Sequence, residues 1–369
     1  MFRRLAAVLT LLPAALQGQA KPQPDILTFT NGDKLAGQLE RSTGATVTFK
    51  SDMVGEISVA WAKIKEVESD RTFAIIPKTV TFKRHADTSS IPEGKISLAD
   101  QKLTVTPPAG PSQTVPVADA ARIVDDASFK NAVNRQPGFF TDWKGTVTAA
   151  AALVEATQHS QTFSGAISLA RLEPSEDWLT RQNRTTFNFS GSYGTISQPT
   201  TPEIKTDIFH VGLERDEYFS AAFYGFGQGL LDHNFSQNLS LQQTYGGGIG
   251  WSILKKPNQS LDLKGGLTYI HQKFSLEGDD KSLIAALVEE DYRRTLSHGM
   301  VFTQTLILDP ALNHTNDFSG TASALLTLPL YKRLNTSLGI NDGYLHDPPP
   351  GFRKNSFQFT AGFTYSINK

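Results

Sequence analysis

No cysteine occurs among the 369 residues. That absence excludes disulfides, thiolate nucleophiles, iron–sulfur clusters, cysteine-based zinc sites and a lipidated mature N-terminus. Charge is sparse too: charged residues make up 19 %, and 35 Lys plus Arg nearly cancel 36 Asp plus Glu, leaving a formal charge of −1. With no field of one sign, no nucleic-acid partner is expected. Long apolar runs are missing after residue 20, and none approaches the roughly 20 residues that a membrane-spanning helix requires. A chain of this kind can cross a bilayer only with strands, closed into a barrel, because unpaired backbone is not tolerated in hydrocarbon.

What is present is aromatic and glycine-rich, with 23 Phe, 29 Gly and 10 % aromatic residues, a blend found in outer-membrane barrels. The length suits two domains, or one large barrel with an appendage. Met1 to Ala20 opens with Arg3 and Arg4, runs through the apolar stretch Leu5 to Leu16 and ends in Gly18-Gln19-Ala20. This order of charge, apolar run and small residues is that of a cleaved export signal, residues 1–20.

From Ile26 to about Ile123, period-2 segments alternate with turns such as Asn31-Gly32-Asp33, Ser42-Thr43-Gly44 and Pro107-Pro108-Ala109-Gly110. The series Leu35, Gly37, Leu39, Val47, Phe49, Gly55, Ile57, Val59, Ile64 recurs as Gly94, Ile96, Leu103, Val105, Val115, Val117, Ile123. Two copies of one small β unit are therefore expected over residues 21–130. The Asn31-Gly32-Asp33-Lys34 turn is explained by hairpin chemistry without a bound cation or phosphate. Trp61 reads as a core or domain-contact residue. Residues 131–142 read as a linker.

From Trp143 to Lys369 the alternation becomes long and regular. Tyr245, Ile249, Trp251 and Ile253 share one parity against Gln242, Thr244, Gly246 and Ser252; Phe357, Phe359, Phe363 and Tyr365 oppose Gln358, Thr360, Gly362 and Thr364. About twelve strands of about 10 residues are predicted, starting near 143, 161, 183, 204, 217, 237, 259, 282, 299, 316, 333 and 355. Connections at 194–203, 228–236, 274–281, 309–315 and 343–354 read as long. Those at Asp216, 255–258, Ser297-His298-Gly299 and Lys332 read as tight, the alternation expected when residues 21–130 are periplasmic. Two connections depart from it, a short one near Ala156 to Ser160 and a long one from Glu173 to Gln182. Trp143, Tyr193, Tyr218, Tyr224, Tyr269, Tyr331 and Tyr344 fall near strand ends, where interfacial girdles lie. Residues 282–296, with Glu289, Glu290, Asp291, Arg293 and Arg294, read as a strand ending in a charged rim, although a helix fits the same run.

The fold class is thus all-β: a transmembrane antiparallel barrel over 143–369, preceded by a small duplicated β domain. Asn31-Gly32-Asp33-Lys34-Leu35, Gly55-Glu56-Ile57, Trp143-Lys144-Gly145, Phe223-Tyr224-Gly225 and Gly246-Gly247-Gly248-Ile249-Gly250-Trp251 resemble the domain-of-unknown-function 481 family, bacterial proteins described as salt-induced outer-membrane proteins. The resemblance implies an outer-membrane location and a link to osmotic or salt stress. The family often has a Gly-Asn pair in the first outer loop, where Gln158-His159-Ser160 stands here. Thr360, Gly362, Tyr365 and Ile367 resemble the C-terminal signal read by the barrel-assembly machinery, with Asn368 and Lys369 in place of a closing aromatic. Outer-membrane lipid and that machinery are the implied partners; no periplasmic partner is legible.

Chemistry is thinly signalled. His159, His233, His314 and His346 fall in predicted outer loops, His210 and His271 in strands and His298 in a turn, without metal-binding spacing, so no metal or cofactor is expected. His210 and Ser220 could meet across adjacent strands as in an outer-membrane lipid hydrolase, but no third group orients them. Lys144, His210, Glu214, Asp262 and Lys264 are expected to face the lumen, lining a narrow passage or pairing across a plug. The expectation is a non-enzymatic envelope barrel or narrow solute passage. The alternatives are the hydrolase and a soluble periplasmic β-sandwich.

Overall fold

The computed structural model describes residues 23–155, 159–197, 204–275, 280–314 and 317–367. The expected export signal and most of the first outer loop lie outside these residues. The chain divides into two compact units, one running to Val80 with Asp87–Asn131, the other formed by Thr81–Ala86 and Ala132 onward.

In the first unit, β1 (Asp25–Phe29), β2 (Lys34–Ser42), β3 (Thr46–Ser51), β4 (Gly55–Ala60), β5 (Ile64–Pro77), β6 (Glu93–Ala99), β7 (Lys102–Thr106) and β8 (Gln113–Pro116) form a sheet in the order β4-β3-β2-β1-β5-β6-β7-β8, and β9 (Ala120–Asp125) pairs with β2 and β5. Apolar residues of alternate parity, among them Leu27, Leu39, Phe49, Phe73, Ile96 and Leu103, bury one core. The repeat is visible as a hairpin, a strand and a single 3₁₀ turn, Trp61–Lys63 in one copy and Val117–Asp119 in the other. Each turn is tied back to its own hairpin, by Trp61 N–H to the Ala45 carbonyl at 3.2 Å and by Val117 N–H to the Gln101 carbonyl at 3.0 Å. Gly37 and Gly94 are equivalent as well, because a Cβ on either would strike the backbone of the next strand, at Lys50 or Thr106. The 3₁₀ turns match Trp61 to Val117, and hence Ile64 to Ala120 and Val67 to Ile123. The Asn31–Asp33 turn closes on itself, with the Asp33 N–H donating to Asn31 Oδ1 at 3.1 Å and Gly32 at φ +91°.

One element is additional to the sequence reading. Helix α1 (Asp126–Asn134) occupies part of the expected linker, its first turn capped by Asp125 Oδ1, which accepts from the Ala127 and Ser128 N–H groups.

The second unit contains β10 (Trp143–Glu155), β11 (His159–Glu173), β12 (Asn183–Ser197), β13 (Ile204–Tyr218), β14 (Phe223–Asn234), β15 (Leu239–Lys256), β16 (Gln259–Phe274), β17 (Lys281–Thr295), β18 (Val301–Pro310), β19 (Phe318–Tyr331), β20 (Leu334–Leu345) and β21 (Asn355–Ile367). Each pairs antiparallel with the next and β21 closes on β10, giving a closed twelve-stranded barrel. The period-2 pattern decides which side chains go out: Phe163, Tyr245, Ile249, Trp251, Leu267, Phe357 and Phe363 are exposed on the outer surface. The end at which Trp143 enters is called proximal, the opposite end distal.

Two boundaries differ from expectation. Asp216 is not a turn residue: β13 continues to Tyr218 and the chain reverses at 219–222. The polar, glycine-rich run 228–236 is largely strand, because Gly225, Gly227 and Gly229 occupy outward positions while Gln228 and Asp232 point inward; His233 accordingly lies in β14, not in a loop. Residues 281–295 are strand throughout, as read from the sequence, and the alternative helix is not formed. Strands are also longer than expected, up to 18 residues in β15.

Candidate functional site

Register assigns the lumen. Opposite the outward residues stand Glu214 and Asp216 of β13, Tyr224 and Phe226 of β14, Asp262 and Lys264 of β16, and Glu289 and Asp291 of β17, paired around the ring through Lys264↔Glu289 and Asp262↔Asp291. Lys264 Nζ, with only 3 % of its side chain exposed, lies 2.8 Å from Glu214 Oε2, 2.7 Å from Glu289 Oε1 and 3.0 Å from Asp291 Oδ2. Arg184, which sequence reasoning missed, crosses from β12 to donate through Nε to Asp216 Oδ2 at 2.5 Å and through Nη1 to Asp262 Oδ2 at 3.1 Å. Its guanidinium also stands 5.4 Å over the Tyr224 ring. Charge-assisted hydrogen bonds of this length offset much of the cost of burying these ions, although Asp216 Oδ1 and Glu289 Oε2 are buried without a partner.

Of the five residues expected in the lumen, Glu214, Asp262 and Lys264 are brought together in this network. His210 stands apart toward the distal half, its Nδ1 2.6 Å from Asp232 Oδ1. Lys144 is exposed near the proximal end, on the parity of Thr146 and Thr148, and joins neither group. The hydrolase pair is not formed. Ser220 sits in the 219–222 turn, its Oγ accepting from the Phe223 N–H at 2.9 Å. At roughly 3.3 Å per residue, the length of β13 from His210 to Tyr218 separates it from His210 by about 25 Å.

Tyr224 is the clearest correction to the expected girdle. It is completely buried inside the barrel, packed on Tyr218 at 5.0 Å and on Phe226 and Leu287. Space for its ring comes from Gly250 on the neighbouring strand, where any Cβ would collide with the phenol. The signal for this was in the sequence, as the glycine run facing an aromatic, but only register shows which strand supplies each partner.

The other wall of the lumen is different in kind. On β10, β11, β12, β19, β20 and β21 the inward positions carry small uncharged groups, including Thr146, Ser164, Ser168, Asn188, Ser323 and Thr360. Between Arg184 and Lys144 at the proximal end and the distal loops, this wall presents no charge among the described residues. Ser168 and Asn188, joined by a 2.8 Å hydrogen bond, are exposed to solvent inside the barrel, whereas Asp216, Ile270, Ala285 and Leu287 on the opposite wall are buried. Interiors of about eight strands are just filled by side chains; with twelve strands, large residues on one wall and small ones on the other leave the free space off centre. Asn335 and Thr364 tighten the proximal part of the small-residue wall, Thr364 Oγ1 lying 2.9 Å from Ser337 Oγ and 2.8 Å from Thr148 Oγ1.

Closure of the ring depends on the last strand. β21 pairs with β10 over Gly145–Ala149 and Phe363–Ile367, and Gly362 lies against the Ala149 carbonyl so closely that a Cβ there would collide with it. Thr360 and Gly362 point inward and Tyr365 outward, as the alternation requires.

Two ties cross the distal end. Gln237, in a 3₁₀ turn between β14 and β15, donates through Nε2 to the Lys354 carbonyl at 2.6 Å and the Gly343 carbonyl at 3.3 Å, on the opposite side of the strand order. Lys281 Nζ lies 2.6 Å from Asp347 Oδ2 and 3.5 Å from Asp317 Oδ2. The hydrogen bond from Lys281 holds the largely exposed Asp347 carboxyl below its ordinary value of 3.8. A depressed carboxylate contributes stability above its unfolded value and loses it as pH falls through the folded one. The tie is therefore expected to hold from neutral pH down to about 4 and to release under stronger acid. Hydrogen exchange in residues 346–354, corrected for intrinsic rate, should rise sharply only below that range in the native protein, and already at neutral pH in Asp347→Asn; a loop with one exchange rate in both proteins at neutral pH would refute the assignment.

The family described as Protein of unknown function, DUF481, matches residues 147–367. No curated protein matches the sequence. Among solved structures, the chain is similar to the translocator domain of autotransporter NalP from Neisseria meningitidis, at 12 % identity over 61 % of this chain and 87 % of that one, with a TM-score of 0.33. It is also similar to the NanC porin, at 10 % identity over 61 % and 100 % with a TM-score of 0.36, and to the beta domain of the Bordetella autotransporter BrkA, at 11 % over 61 % and 98 % with a TM-score of 0.30.

Proposed function

The chain belongs to the family described as Protein of unknown function, DUF481, and from that premise we propose that it is an outer-membrane barrel with a narrow, off-centre passage for small solutes, braced by the buried ion network of its opposite wall. The observation that carries the reading is the contrast within one lumen between the buried Lys264 with its three carboxylate partners and the exposed Ser168–Asn188 pair. The network stops the barrel from being a wide channel; the small uncharged wall leaves a lane beside it. Support for a bilayer setting is the outer band of apolar side chains, bounded by Tyr193, Tyr245 and Tyr269 toward the distal end and by Phe223, Trp251 and Tyr331 toward the proximal end.

In this reading the export signal and the C-terminal Thr360, Gly362, Tyr365 and Ile367 deliver the chain to the barrel-assembly machinery, and the duplicated β unit stands in the periplasm. The protein acts without catalysis, and passage of small solutes fits the osmotic role that the resemblance implies. The test is cell fractionation with a mobility comparison of unboiled and boiled detergent extracts, then osmotic swelling of vesicles holding the purified protein. The expected results are an outer-membrane band that shifts on boiling, and swelling with small solutes that falls off steeply with solute size. A soluble periplasmic band overturns the membrane reading; a shifted band with swelling no faster than empty vesicles leaves a purely structural barrel.

A further inference from the structure

We propose that the Phe139-Phe140 turn preceding β10 is a lipid-anchoring foot that inserts into the bilayer leaflet at the proximal end of the barrel, an inference that rests on the barrel spanning a membrane. Phe140 is 90 % exposed and Phe139 58 %, which is unusual for two adjacent large apolar side chains in a folded segment. Their rings meet edge to face at 5.2 Å, and Phe139 meets Trp143 at 5.9 Å.

Three carbonyls of the turn beneath them accept hydrogen bonds. The Gly138 carbonyl accepts from the Thr141 N–H at 3.1 Å and from Thr141 Oγ1 at 2.7 Å, and the Phe139 carbonyl accepts from Trp143 Nε1 at 2.8 Å. The Thr141 carbonyl accepts from Arg171 Nε at 3.1 Å, and Arg171 is itself buried and held by Glu173 at 2.7 Å. A turn pinned through the Gly138, Phe139 and Thr141 carbonyls, with bare aromatic tips, is suited to a lipid surface, where phenyl rings are favoured and each paired carbonyl lowers the cost of approach. Continuity selects the occupant: Trp143 lies on the outward parity of β10 with Val147, so the foot extends the barrel's apolar band beyond the last ladder residue.

The absence of native cysteine makes the test direct. Phe140→Cys, labelled with a nitrobenzoxadiazole probe and refolded into phosphatidylcholine–phosphatidylglycerol vesicles, is compared with Phe357→Cys on the outer band and Ser112→Cys in an exposed loop of the first unit; Phe139→Cys gives a second position if the first variant loses its boil-sensitive mobility. The expected result is blue-shifted emission at 140, quenched several-fold more by headgroup-region spin-labelled lipid than by aqueous iodide, as at 357 and unlike 112. Iodide quenching at 140 with lipid quenching at 357 overturns the foot alone. Iodide quenching at both overturns the spanning barrel, and protection of 140 from both quenchers means that protein covers it, which also overturns the foot.

Discussion

Lys264→Ala is expected to destabilise the barrel more than any other single truncation in the lumen, by about 3–5 kcal/mol, the typical loss when one partner of a buried ion cluster is removed. Glu214, Glu289 and Asp291 all lie within 3.0 Å of the ammonium, and the side chains of Glu214 and Glu289, 11 % and 7 % exposed against 35 % for Asp291, have little water to turn to in its absence. Arg184 cannot take over, since its donors are committed to Asp216 and Asp262 and it approaches Glu214 only to 3.9 Å. The loss is read from the guanidinium midpoint of detergent-folded protein, followed by the mobility difference between boiled and unboiled samples. Neutralising the partners together with the lysine, as Lys264→Met with Glu289→Gln and Asp291→Asn, is expected to recover part of it, because what destabilises is the uncompensated charge rather than the missing attraction. A midpoint for Lys264→Ala equal to that of the native protein would mean that water reaches the cluster and that the wall is not a brace.

The second large effect is on passage. Ser168→Trp places an indole in the solvent-exposed lane between β11 and β12, where the inward neighbours Thr146, Ala170 and Asn188 are too small to be displaced into a tighter packing. Vesicle swelling with small uncharged solutes is expected to drop to the rate of protein-free vesicles while boil-sensitive mobility is kept. The same residue introduced on the outer face, Val288→Trp, should leave swelling unchanged, since Val288 is exposed away from the lumen. Equal swelling for Ser168→Trp and the native protein would place the passage elsewhere or remove it. Lys264→Ala makes a third arm: loosening the braced wall is expected to relax the size limit on solutes before it unfolds the barrel.

Much of the architecture was written in one-dimensional pattern. Period 2 sustained from Trp143 to Ile367, with no helix-length apolar run, marks about twelve strands that a closed barrel covers at every edge, and alternation sorts outward-facing from inward-facing side chains without knowledge of neighbours. The duplicated β unit was legible for the same reason, through the glycines at 37 and 94. What alternation cannot convey is register around the ring. Parity placed Glu214, Asp262 and Lys264 inside, yet it could not say that Lys264 stands beside Glu289, that Arg184 reaches across from β12, or that Gly250 makes room for Tyr224. Those contacts join positions up to 78 residues apart, as in Arg184 and Asp262.

Strand ends were misjudged at Asp216 and at 228–236 because polar and glycine residues signal turns in water-exposed chains, whereas in a barrel they also mark a filled polar lumen and a thin wall. The sequence by itself determined that the chain is all-β and which side chains of each strand share a face, because those depend on period alone; closure of the strands into one ring is seen only in the pairing of β21 with β10. The division of the lumen into a braced wall and an open lane was decided only in the tertiary structure, because it depends on which strands the closed ring brings face to face.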